Sequence, residues 1–398
     1  MAKLIEITGK ALLGEWGTDD ETGNGIPVLR TTNFTNEGIV DYSNVVTRNI
    51  VKKGIEEKYL RNGDIIIEKS GGSDKQPVGR VIYFDGPERT YLFNNFTGLL
   101  RVKNQEKWHP RYVFYSLFSN YRSGGTRTFQ NKTTGLHNLK TDDYVSSFNV
   151  TEVDIVTQKA ICKQLDRVNG IIRMRQQQLQ KLDNLVKARF IELFGDPDKN
   201  PYGWNLSSIG ALIASCEAGW SGNGSQREKQ DGEVAVLKVS AVTKGYFIPS
   251  ECKVLDNQSN IKKYIYPQAG DLLFSRANTR EMVGATAVVT KDFPEHILPD
   301  KLWKIRFVEA ANVWYMKYIL SSKSIRSIFS SMSTGTSGSM YNVSMEKFKS
   351  IKIPLPPLVL QNQFAAFVEQ TDKSKLTISG TLTELETLKD SLMQQYFG

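Results

Sequence analysis

The last part of this sequence repeats its middle. Residues 361–398 carry apolar residues at the same spacing as residues 158–195, and both copies begin with a glutamine and end in Phe-Gly. In each copy the apolar residues follow alternating steps of four and three, which is the pattern of a helix with a coiled-coil stripe. Polar residues such as Arg175 and Lys375 interrupt both stripes. We therefore expect two long helices, each of which buries its stripe against the other.

The segments in front of the two helices also share one plan. The run Gly-Asp-Ile-Ile-Ile at 63–67 corresponds to Gly-Asp-Leu-Leu-Phe at 270–274, and each predicts a turn followed by a buried strand. An aromatic-rich helix is predicted at 110–120, and it has a counterpart at 315–320. The chain is therefore predicted to be a tandem duplication, in which two heads alternate with two helices.

Further patterns within the heads predict short strands and polar loops. The apolar runs at 78–84 and 91–102 predict two strands, and the polar stretches at 122–135 and 330–341 predict loops. The predicted fold class is α+β, with two mixed α/β domains, two long helices that pair as an antiparallel coiled coil, and an internal pseudo-two-fold axis. The predicted domains are a first head at 1–150, a first long helix at 151–195, a linker at 196–203, a second head at 204–352 and a second long helix at 353–398.

Composition narrows the class of protein. The sequence has no run of about 18 apolar residues and its start has no signal-peptide core, so we expect no transmembrane helix and no secretory leader. Its three cysteines form no Cys-x-x-Cys pair, which suits a reducing compartment and predicts a cytoplasmic protein. The three histidines are scattered, so no metal site is expected. A net charge of +9 and a pI near 9.2 favour an acidic partner, nucleic acid above all.

The predicted helix pairing has a geometric consequence for such a partner. An antiparallel pair would carry the two heads at its opposite ends, related by the pseudo-two-fold axis. A helix of this length spans about 50 Å at about 1.5 Å per residue. We therefore expect the heads to meet B-DNA about one to one and a half turns apart, on a target of two parts.

Several motifs resemble those of one known family. The run Ile-Pro-Leu-Pro-Pro-Leu at 353–358, followed by Gln361 and Phe364, resembles the junction between a target-recognition domain and a helix in type I restriction–modification specificity subunits. The runs at 63–69 and 270–276 resemble a motif inside those recognition domains. The resemblance covers essentially the whole chain, duplication included.

The resemblance implies a subunit without catalysis. Each head would recognise one half of a split sequence in double-stranded DNA, while the helices set the spacing and dock two methyltransferase subunits, with restriction subunits joining the complex. S-adenosylmethionine, ATP and Mg would bind the partner subunits and none of them this chain. The first junction, at 148–153, lacks the prolines of the second, so the start of the first helix is expected to bend differently.

Polar residues at the ends of the predicted strands are candidates for DNA recognition. Arg276, Asn278 and Arg280 follow a strand of the second head, and Arg and Asn are the side chains that pair with guanine and adenine in the major groove. The alternative is that they are solvated loop residues or phosphate contacts. The matching residues of the first head are Lys69, Ser73 and Lys75.

The polar loops and two strand ends supply the other candidates. The most basic loop of the first head contributes Arg122, Arg127, Gln130, Asn131 and Lys132, for which phosphate contact is favoured over base recognition. The matching loop of the second head carries no charge and contributes Tyr341, unless it is merely a flexible loop. Arg30 and Lys238 end matching strands, where a structural salt bridge is as consistent with the sequence as DNA binding.

Catalytic motifs are missing from the sequence. The carboxylates Asp64 and Glu68 superficially resemble a nuclease core, but Lys69 follows Glu68 directly where that motif needs an intervening residue. No phosphate loop ending in Gly-Lys-Ser or Gly-Lys-Thr is present. Two alternatives to a type I subunit stay open: the recognition subunit of a stand-alone type II restriction–methylation enzyme, and a coiled-coil scaffold that binds no nucleic acid.

Overall fold

The computed structural model describes residues 1–74, 76–133, 136–259, 261–334 and 340–398, without the side chains of residues 132 and 133. The chain divides into two compact units. Unit 1 comprises Met1–Gln176 together with Gly380–Gly398, and unit 2 comprises Gln177–Ser379. Each unit contains a mixed α/β head and part of each long helix, so the predicted α+β class with two repeated domains is confirmed.

The head of unit 1 consists of short strands and a few helices. Its helices are Leu4–Thr8, Thr31–Asn33, Ile55–Lys58, Pro110–Arg122, Arg127–Phe129 and Thr141–Ser147, of which the second, third and fifth are 3₁₀ helices. Its strands are Ala2–Lys3, Leu12–Leu13, Thr18–Asp19, Ile26–Leu29, Val46–Asn49, Ile65–Glu68, Ser70–Gly72, Val81–Tyr83, Leu92–Phe93, Thr97–Leu100, Gln130–Thr133, Leu136–Leu139 and Asn149–Val150.

The core of unit 1 lies between an antiparallel sheet and the aromatic helix. Strand Ile65–Glu68 runs between Thr97–Leu100 and Val81–Tyr83, and its side chains are buried on both faces. Helix Pro110–Arg122 is buried throughout residues 112–118. Its Phe114 ring packs against Tyr83 of the sheet, while Tyr112 and Tyr115 pack against Phe397 of the second long helix. The predicted helix at 110–120 is therefore confirmed.

Two predictions for the first head were wrong. The stretch 91–102 is not one strand, because a turn at residues 94–96 separates Leu92–Phe93 from Thr97–Leu100. The stretch 122–135 is not only a loop, because Gln130–Thr133 forms a strand. That strand pairs with Leu136–Leu139, which in turn pairs with Ser70–Gly72.

The head of unit 2 follows the same plan. Its helices are Ile209–Leu212, the 3₁₀ helix Val239–Val242, Val313–Leu320, Lys323–Met332 and Met345–Ser350. Its strands are Leu206–Ser208, Ile213–Ala218, Gly224–Ser225, Ala235–Leu237, Cys252–Leu255, Leu272–Ser275, Ala277–Asn278, Thr286–Val288, His296–Ile297, Leu302–Phe307, Tyr341–Asn342 and Lys352–Pro354.

The core of unit 2 has the same construction as that of unit 1. Strand Leu272–Ser275 lies between Leu302–Phe307 and Thr286–Val288 in an antiparallel sheet. The aromatic helix Val313–Leu320 packs its buried residues into the same core, which confirms the helix predicted at 315–320. Part of the predicted loop at 330–341 belongs to helix Lys323–Met332, so the loop begins later than expected.

The repeated Gly-Asp motif forms a buried ion pair in each head. The carboxylate of Asp64 accepts hydrogen bonds from the Arg101 guanidinium at 2.6 and 2.7 Å. The corresponding Asp271 is fully buried and accepts from Arg306 at 2.7 Å, with the Lys304 ammonium 3.1 Å away. These pairs hold the turn that leads into the central strand of each sheet.

The other carboxylate of the nuclease-like pattern, that of Glu68, also forms an ion pair. Glu68 is buried and binds the guanidinium of Arg80 through both of its oxygens, at 2.9 and 3.0 Å. Arg80 also donates to the backbone oxygens of Thr31 and Phe34, so it ties the central strand to a neighbouring turn. The geometry gives these acidic residues a structural role.

The first long helix is Ile155–Phe194 and the second is Leu358–Phe397. Gly195, which follows the first, has a φ of 77°, a left-handed conformation that ends helices and favours glycine. None of the helices in the described ranges is both long and apolar enough to cross a bilayer.

Segments of both long helices meet within each unit. In unit 1, the Tyr396 hydroxyl donates to Gln164 Oε1 at 2.9 Å, and the Phe397 ring lies 5.2 Å from the ring of Tyr112. The beginning of the first helix and the end of the second therefore share the core of unit 1.

In unit 2, the other two segments are in contact. The Lys375 ammonium lies 2.6 Å from the carboxylate of Asp183, and the Phe364 ring lies 5.4 Å from that of Phe190. The end of the first helix and the beginning of the second therefore share the core of unit 2.

Candidate nucleic-acid interface

The strand pairing of unit 1 brings most candidate residues of the first head together. Strand Ser70–Gly72 follows Lys69 and pairs with Leu136–Leu139, which pairs with the strand that contains Gln130 and Asn131. We call residues 69–73, 130, 131 and 136–139 the first candidate surface. Residues far apart in the sequence thus line one small polar sheet.

Ser73 and Lys69 are held by backbone hydrogen bonds at the edge of this sheet. Ser73 closes a turn with Gln76, in which the backbone N–H of Ser73 donates to the Gln76 carbonyl at 2.7 Å. The Lys69 carbonyl accepts from the N–H of Leu139 at 2.8 Å. Because the backbone is satisfied, the exposed Ser73 side chain is presented from a fixed position.

Lys69 lies beside a cavity of about 290 Å³. Burial lowers the pKa of the Lys69 ammonium, and the negative charge of Asp142 opposes that shift. The cavity is lined by Ala11, Leu13, Lys69, Leu139, Lys140, Thr141, Asp142 and Asp143. It therefore combines two lysines with two carboxylates, and its walls are only partly apolar.

His137, to which the sequence analysis gave no role, links two neighbouring strands of the first candidate surface through its side chain. His137 is buried, and its Nδ1 lies 3.0 Å from Oε1 of Gln130 on the neighbouring strand. Its Nε2 lies 3.5 Å from the carboxylate of Asp74. The sequence signal was the alternation Leu-His-Asn-Leu at 136–139, which places His137 and Leu139 on the same face of a strand, where both are buried.

Two candidate arginines of the first head are exposed to solvent. Arg122 ends the aromatic helix and is exposed, and Arg127 begins a short 3₁₀ helix and is also exposed. Lys75 lies outside the described residues, and so does the side chain of Lys132. Exposed guanidinium groups at a helix end are suited to phosphate contact.

An equivalent strand pair occurs in unit 2. Ala277–Asn278 pairs with Tyr341–Asn342, so that Asn278 is directly opposite Tyr341. We call residues 276–280 and 341–342 the second candidate surface. Asn278 and Tyr341, which the sequence placed in separate loops, are thus paired on neighbouring strands. Residues 335–339 lie outside the described residues.

The two arginines of the second candidate surface differ in how firmly their side chains are held by hydrogen bonds. Arg276 is half-buried; its Nε donates to the backbone oxygen of Asp300 at 2.8 Å, and a terminal nitrogen is 3.7 Å from the carboxylate of that residue. Arg280 is exposed and donates to the Ser330 hydroxyl at 3.3 Å. Arg276 is therefore fixed in orientation, while Arg280 has one weak contact within the part of the chain that the structure describes.

A further arginine was missed by the sequence analysis. Arg326 on helix Lys323–Met332 donates to the backbone oxygen of Glu281 at 2.6 Å, which fastens the turn that follows Arg280. Another of its terminal nitrogens is buried and has no hydrogen-bond partner among the described residues. Burial lowers the pKa of its guanidinium. Its only signal in the sequence was a basic residue on an amphipathic helix.

Arg30 and Lys238 stand at the ends of corresponding strands and are not part of the two candidate surfaces. Lys238 forms an ion pair with Glu251, with a nitrogen–oxygen distance of 3.1 Å. The Arg30 guanidinium donates to the backbone oxygen of Asn44 at 3.2 Å. The Lys238 ion pair is the structural salt bridge that the sequence left open as an alternative, whereas the Arg30 contact is a hydrogen bond to the backbone.

The chemistry of both surfaces is that of hydrogen bonding and positive charge. Each places amide or hydroxyl side chains on a strand pair and basic side chains at its margin, a combination that suits base edges and phosphates. No group of three His, Cys, Asp or Glu side chains that could hold a metal ion occurs within the described part of the chain.

Comparison with known proteins gives a consistent result. The model of the type I restriction modification DNA specificity domain matches the chain twice, at residues 2–184 and 201–387. The EcoKI specificity subunit of Escherichia coli strain K12 is 23% identical over 399 residues, which cover 94% of this chain and 82% of that subunit. The EcoEI specificity subunit of Escherichia coli is 26% identical over 197 residues, which cover 48% of this chain and 33% of that subunit.

Solved structures share the fold. The type I restriction–modification S subunit of M. genitalium superimposes with a TM-score of 0.60 at 12% identity and covers 100% of this chain and 95% of its own. A chain from a study of complex assembly and conformational transition of the type I R-M system gives 0.52 at 16% identity, covering 100% and 96%. With both halves matched by the family model, the chain belongs to the type I restriction–modification DNA specificity family.

Proposed function

We propose that this chain is the specificity subunit of a type I restriction–modification complex and binds a bipartite sequence in double-stranded DNA. The observation that carries the proposal is the duplication of the family domain, in which each copy presents polar residues on an equivalent strand pair. The heads at 1–150 and 204–352 would each recognise one half of the target. Exposed basic residues would supply phosphate contacts, and residues on the strand pairs would contact bases.

The proposal includes an antiparallel pairing of the two long helices. Contacts such as Tyr396 with Gln164 in unit 1 and Phe364 with Phe190 in unit 2 support it, since each joins the beginning of one helix to the end of the other. Equivalent residues of the repeat are buried together in the two cores, Ile161 with Met393 in unit 1 and Phe364 with Phe190 in unit 2, which also supports a pseudo-two-fold relation. In such an arrangement the helices set the spacing of the two half-sites.

Two copies of one methyltransferase subunit would dock on equivalent positions of the repeat. Val156 and Val359 occupy the same position of the two long helices and are 73% and 78% exposed. Leu185 and Leu388 form a second equivalent pair, and both are exposed. A single exposed apolar residue is ordinary, but the same residue exposed at the same place in both copies indicates a shared partner.

Catalysis would reside in the partner subunits. Asp64, Glu68 and Asp271, the buried acidic residues beside the candidate surfaces, are each paired with arginine or lysine, which supports a structural role for them. S-adenosylmethionine would then bind the methyltransferase subunits, while restriction subunits would bind ATP and Mg. We place the complex in the cytoplasm, where its DNA substrate is found.

Co-expression with separate methyltransferase subunits tests this function against its alternatives. A type I specificity subunit co-purifies with two copies of a separate methyltransferase, and the complex binds DNA with an affinity that falls steeply with salt. A stand-alone type II enzyme would instead bring a partner in which methylation and cleavage share one chain. A scaffold without a nucleic-acid role would show no salt-sensitive DNA binding, and that result would contradict the proposal.

A further inference from the structure

The turn at residues 94–97 of the first head exposes a large aromatic side chain. Phe96 is 52% exposed, although phenylalanine normally contributes to stability by being buried. The residues on either side of the turn, in Leu92–Phe93 and Thr97–Leu100, are buried in the head. An exposed ring between buried strands is a feature that the packing of the head does not explain.

The turn that carries Phe96 is rigid. Thr97 is fully buried, and both its N–H and its hydroxyl donate to the Asn94 carbonyl, at 3.0 and 2.8 Å. The Asn94 N–H donates in turn to the Leu29 carbonyl at 3.0 Å. The ring is therefore presented from a fixed backbone, so that little conformational entropy is lost when it binds.

This turn is continuous with the first candidate surface. The Phe96 carbonyl accepts hydrogen bonds from the N–H groups of both Lys69 and Ser70, at 2.8 and 3.3 Å. On its other side the turn is bonded to Leu29, the residue before Arg30. Phe96 thus stands between two of the positions from which the sequence predicted DNA contact.

The corresponding turn of the second head carries a different side chain. There the N–H of Arg276 donates to the carbonyl of Lys301 at 3.1 Å, as Lys69 does to Phe96. Lys301 is partly exposed and lies 3.7 Å from the carboxylate of Asp300. One head therefore presents an apolar ring at a position where the other presents an ammonium group, as expected if the two heads recognise different sequences.

We propose that Phe96 is a specificity-determining residue whose ring packs against the 5-methyl group of a thymine in the half-site of the first head. Contact between an apolar side chain and this methyl group is a recognised means of distinguishing thymine in the major groove. The inference rests on the proposed function and adds to it a named residue and a named chemical group on the DNA.

Removal of single methyl groups from the DNA tests the assignment. The chain is assembled with its methyltransferase subunits, and the methylation rate is measured on duplexes in which deoxyuridine replaces one thymidine of the target at a time. For the wild-type complex, one such replacement in the first half-site should lower the rate about fourfold, the value expected for one buried methyl group. The F96A complex should be slower on the thymidine duplex and insensitive to that replacement, and F96L should lie between.

The controls separate the possible outcomes. V51A removes another exposed apolar side chain of the first head, 93% exposed, and should leave the response to deoxyuridine unchanged. If F96A and F96L respond to every deoxyuridine as the wild type does, Phe96 contacts no thymine methyl group. Loss of the methyltransferase subunits from F96A during purification would overturn the assignment in favour of a protein contact. If the wild-type complex methylates no bipartite motif, the proposed function itself fails.

Discussion

Gln158 and Gln361 make the same set of hydrogen bonds, each within its own unit. Both side chains are fully buried in the first turns of the long helices. Oε1 of Gln158 accepts the N–H of His109 at 2.8 Å, and its Nε2 donates to the carbonyls of Lys107 and Val153 at 2.9 and 2.8 Å. The amide thus ties the beginning of the helix to the segment in front of the aromatic helix.

Gln361 repeats this arrangement in unit 2. Its Oε1 accepts the N–H of Asn312 at 2.8 Å, and its Nε2 donates to the carbonyls of Ala310 and Pro356 at 3.1 and 2.8 Å. In both units one amide side chain satisfies three backbone groups. The two junctions therefore have the same hydrogen bonding, although only the second contains prolines.

Replacement of either glutamine should destabilise its own unit. Q158A and Q361A each leave three backbone groups without partners, and we expect a loss of about 2–4 kcal/mol in the free energy of unfolding. Q158E should be similarly damaging, because a carboxylate would face two carbonyl oxygens. Urea unfolding, with hydrogen exchange of peptides around residues 107–113 or 310–316, measures the effect. Q363A, on an exposed face of the second helix, is the control; an equal loss there would contradict the assignment.

The sequence was informative about the helices for a physical reason. Helical order depends on local spacing, so the apolar steps were sufficient to predict the first long helix, and Gly195 with Pro197 to predict its end. The repeat also predicted that Gln158 and Gln361 are equivalent. Their role could not be predicted, because their partners are backbone groups about fifty positions away in sequence whose proximity depends on tertiary packing.

The candidate surfaces were less predictable than the helices. Gln130–Thr133 is polar and lacks the apolar alternation of a half-buried strand, so it was interpreted as a loop, and only its pairing with Leu136–Leu139 makes it a strand. Arg276 was predicted to contact DNA or to be a solvated loop residue, and neither prediction included its hydrogen bond to Asp300. Phe96 was placed inside a predicted strand, which concealed its exposure. The first feature depends on the pairing of two strands adjacent in sequence, and the second on a contact between residues 24 positions apart.

Two arginine substitutions should have different effects on DNA binding. R127A removes an exposed charge and should weaken binding to all sequences, with the salt slope reduced by about one. R276A should cost about 1–3 kcal/mol and relax discrimination at one base pair, since this side chain is oriented by Asp300. Salt titrations and methylation mapping of the complexes measure the two effects.

The matched control for these substitutions is R89A. Arg89 is exposed in the first head and forms an ion pair with Glu56, so its removal should change neither the salt slope nor the methylated motif. A changed motif with R127A, or an unchanged motif with R276A at normal affinity for all sequences, would contradict the assigned roles.

Substitutions at the equivalent valines should change the composition of the complex. V156D and V359D each place a charge on one proposed docking position, which disfavours burial against an apolar partner surface. We expect each to lose one methyltransferase copy and the double variant to lose both, as counted by native mass spectrometry. V51D, which changes a still more exposed valine in the first head, should retain two copies. Retention of two copies in the double variant would exclude this docking position.

The stability of unit 2 should depend on pH through Lys317. Burial lowers the pKa of its ammonium from 10.5 to about 8. The charges of Asp372 and Asp183 raise this pKa, and those of Lys375 and Lys187 lower it. Between pH 8 and 10.5 the folded side chain is mostly neutral and the unfolded one mostly charged, so unfolding takes up a proton and the stability contribution of Lys317 rises with pH. Below pH 8 both states are charged, and the cost of burying the charge is at its full value.

K317M should therefore be more stable than the wild type at pH 7, by an amount on the order of 1–3 kcal/mol, and the difference should shrink as the pH rises towards 10.5. Urea unfolding across this range provides the measurement. K373M, which replaces an exposed lysine of the second long helix, is the control. A difference between K317M and the wild type that does not change with pH would show that the Lys317 charge is not responsible.

Mapping of methylated adenines most directly tests whether two heads recognise two half-sites. The chain is co-expressed with its methyltransferase subunits, and the modified motif is compared for the wild type, F96A in the first head and R276A in the second. We predict a motif of two short half-sites separated by an unspecified spacer, with each variant relaxing a different half-site and leaving the other unchanged. A single uninterrupted motif, or variants of both heads that alter the same half-site, would contradict this account.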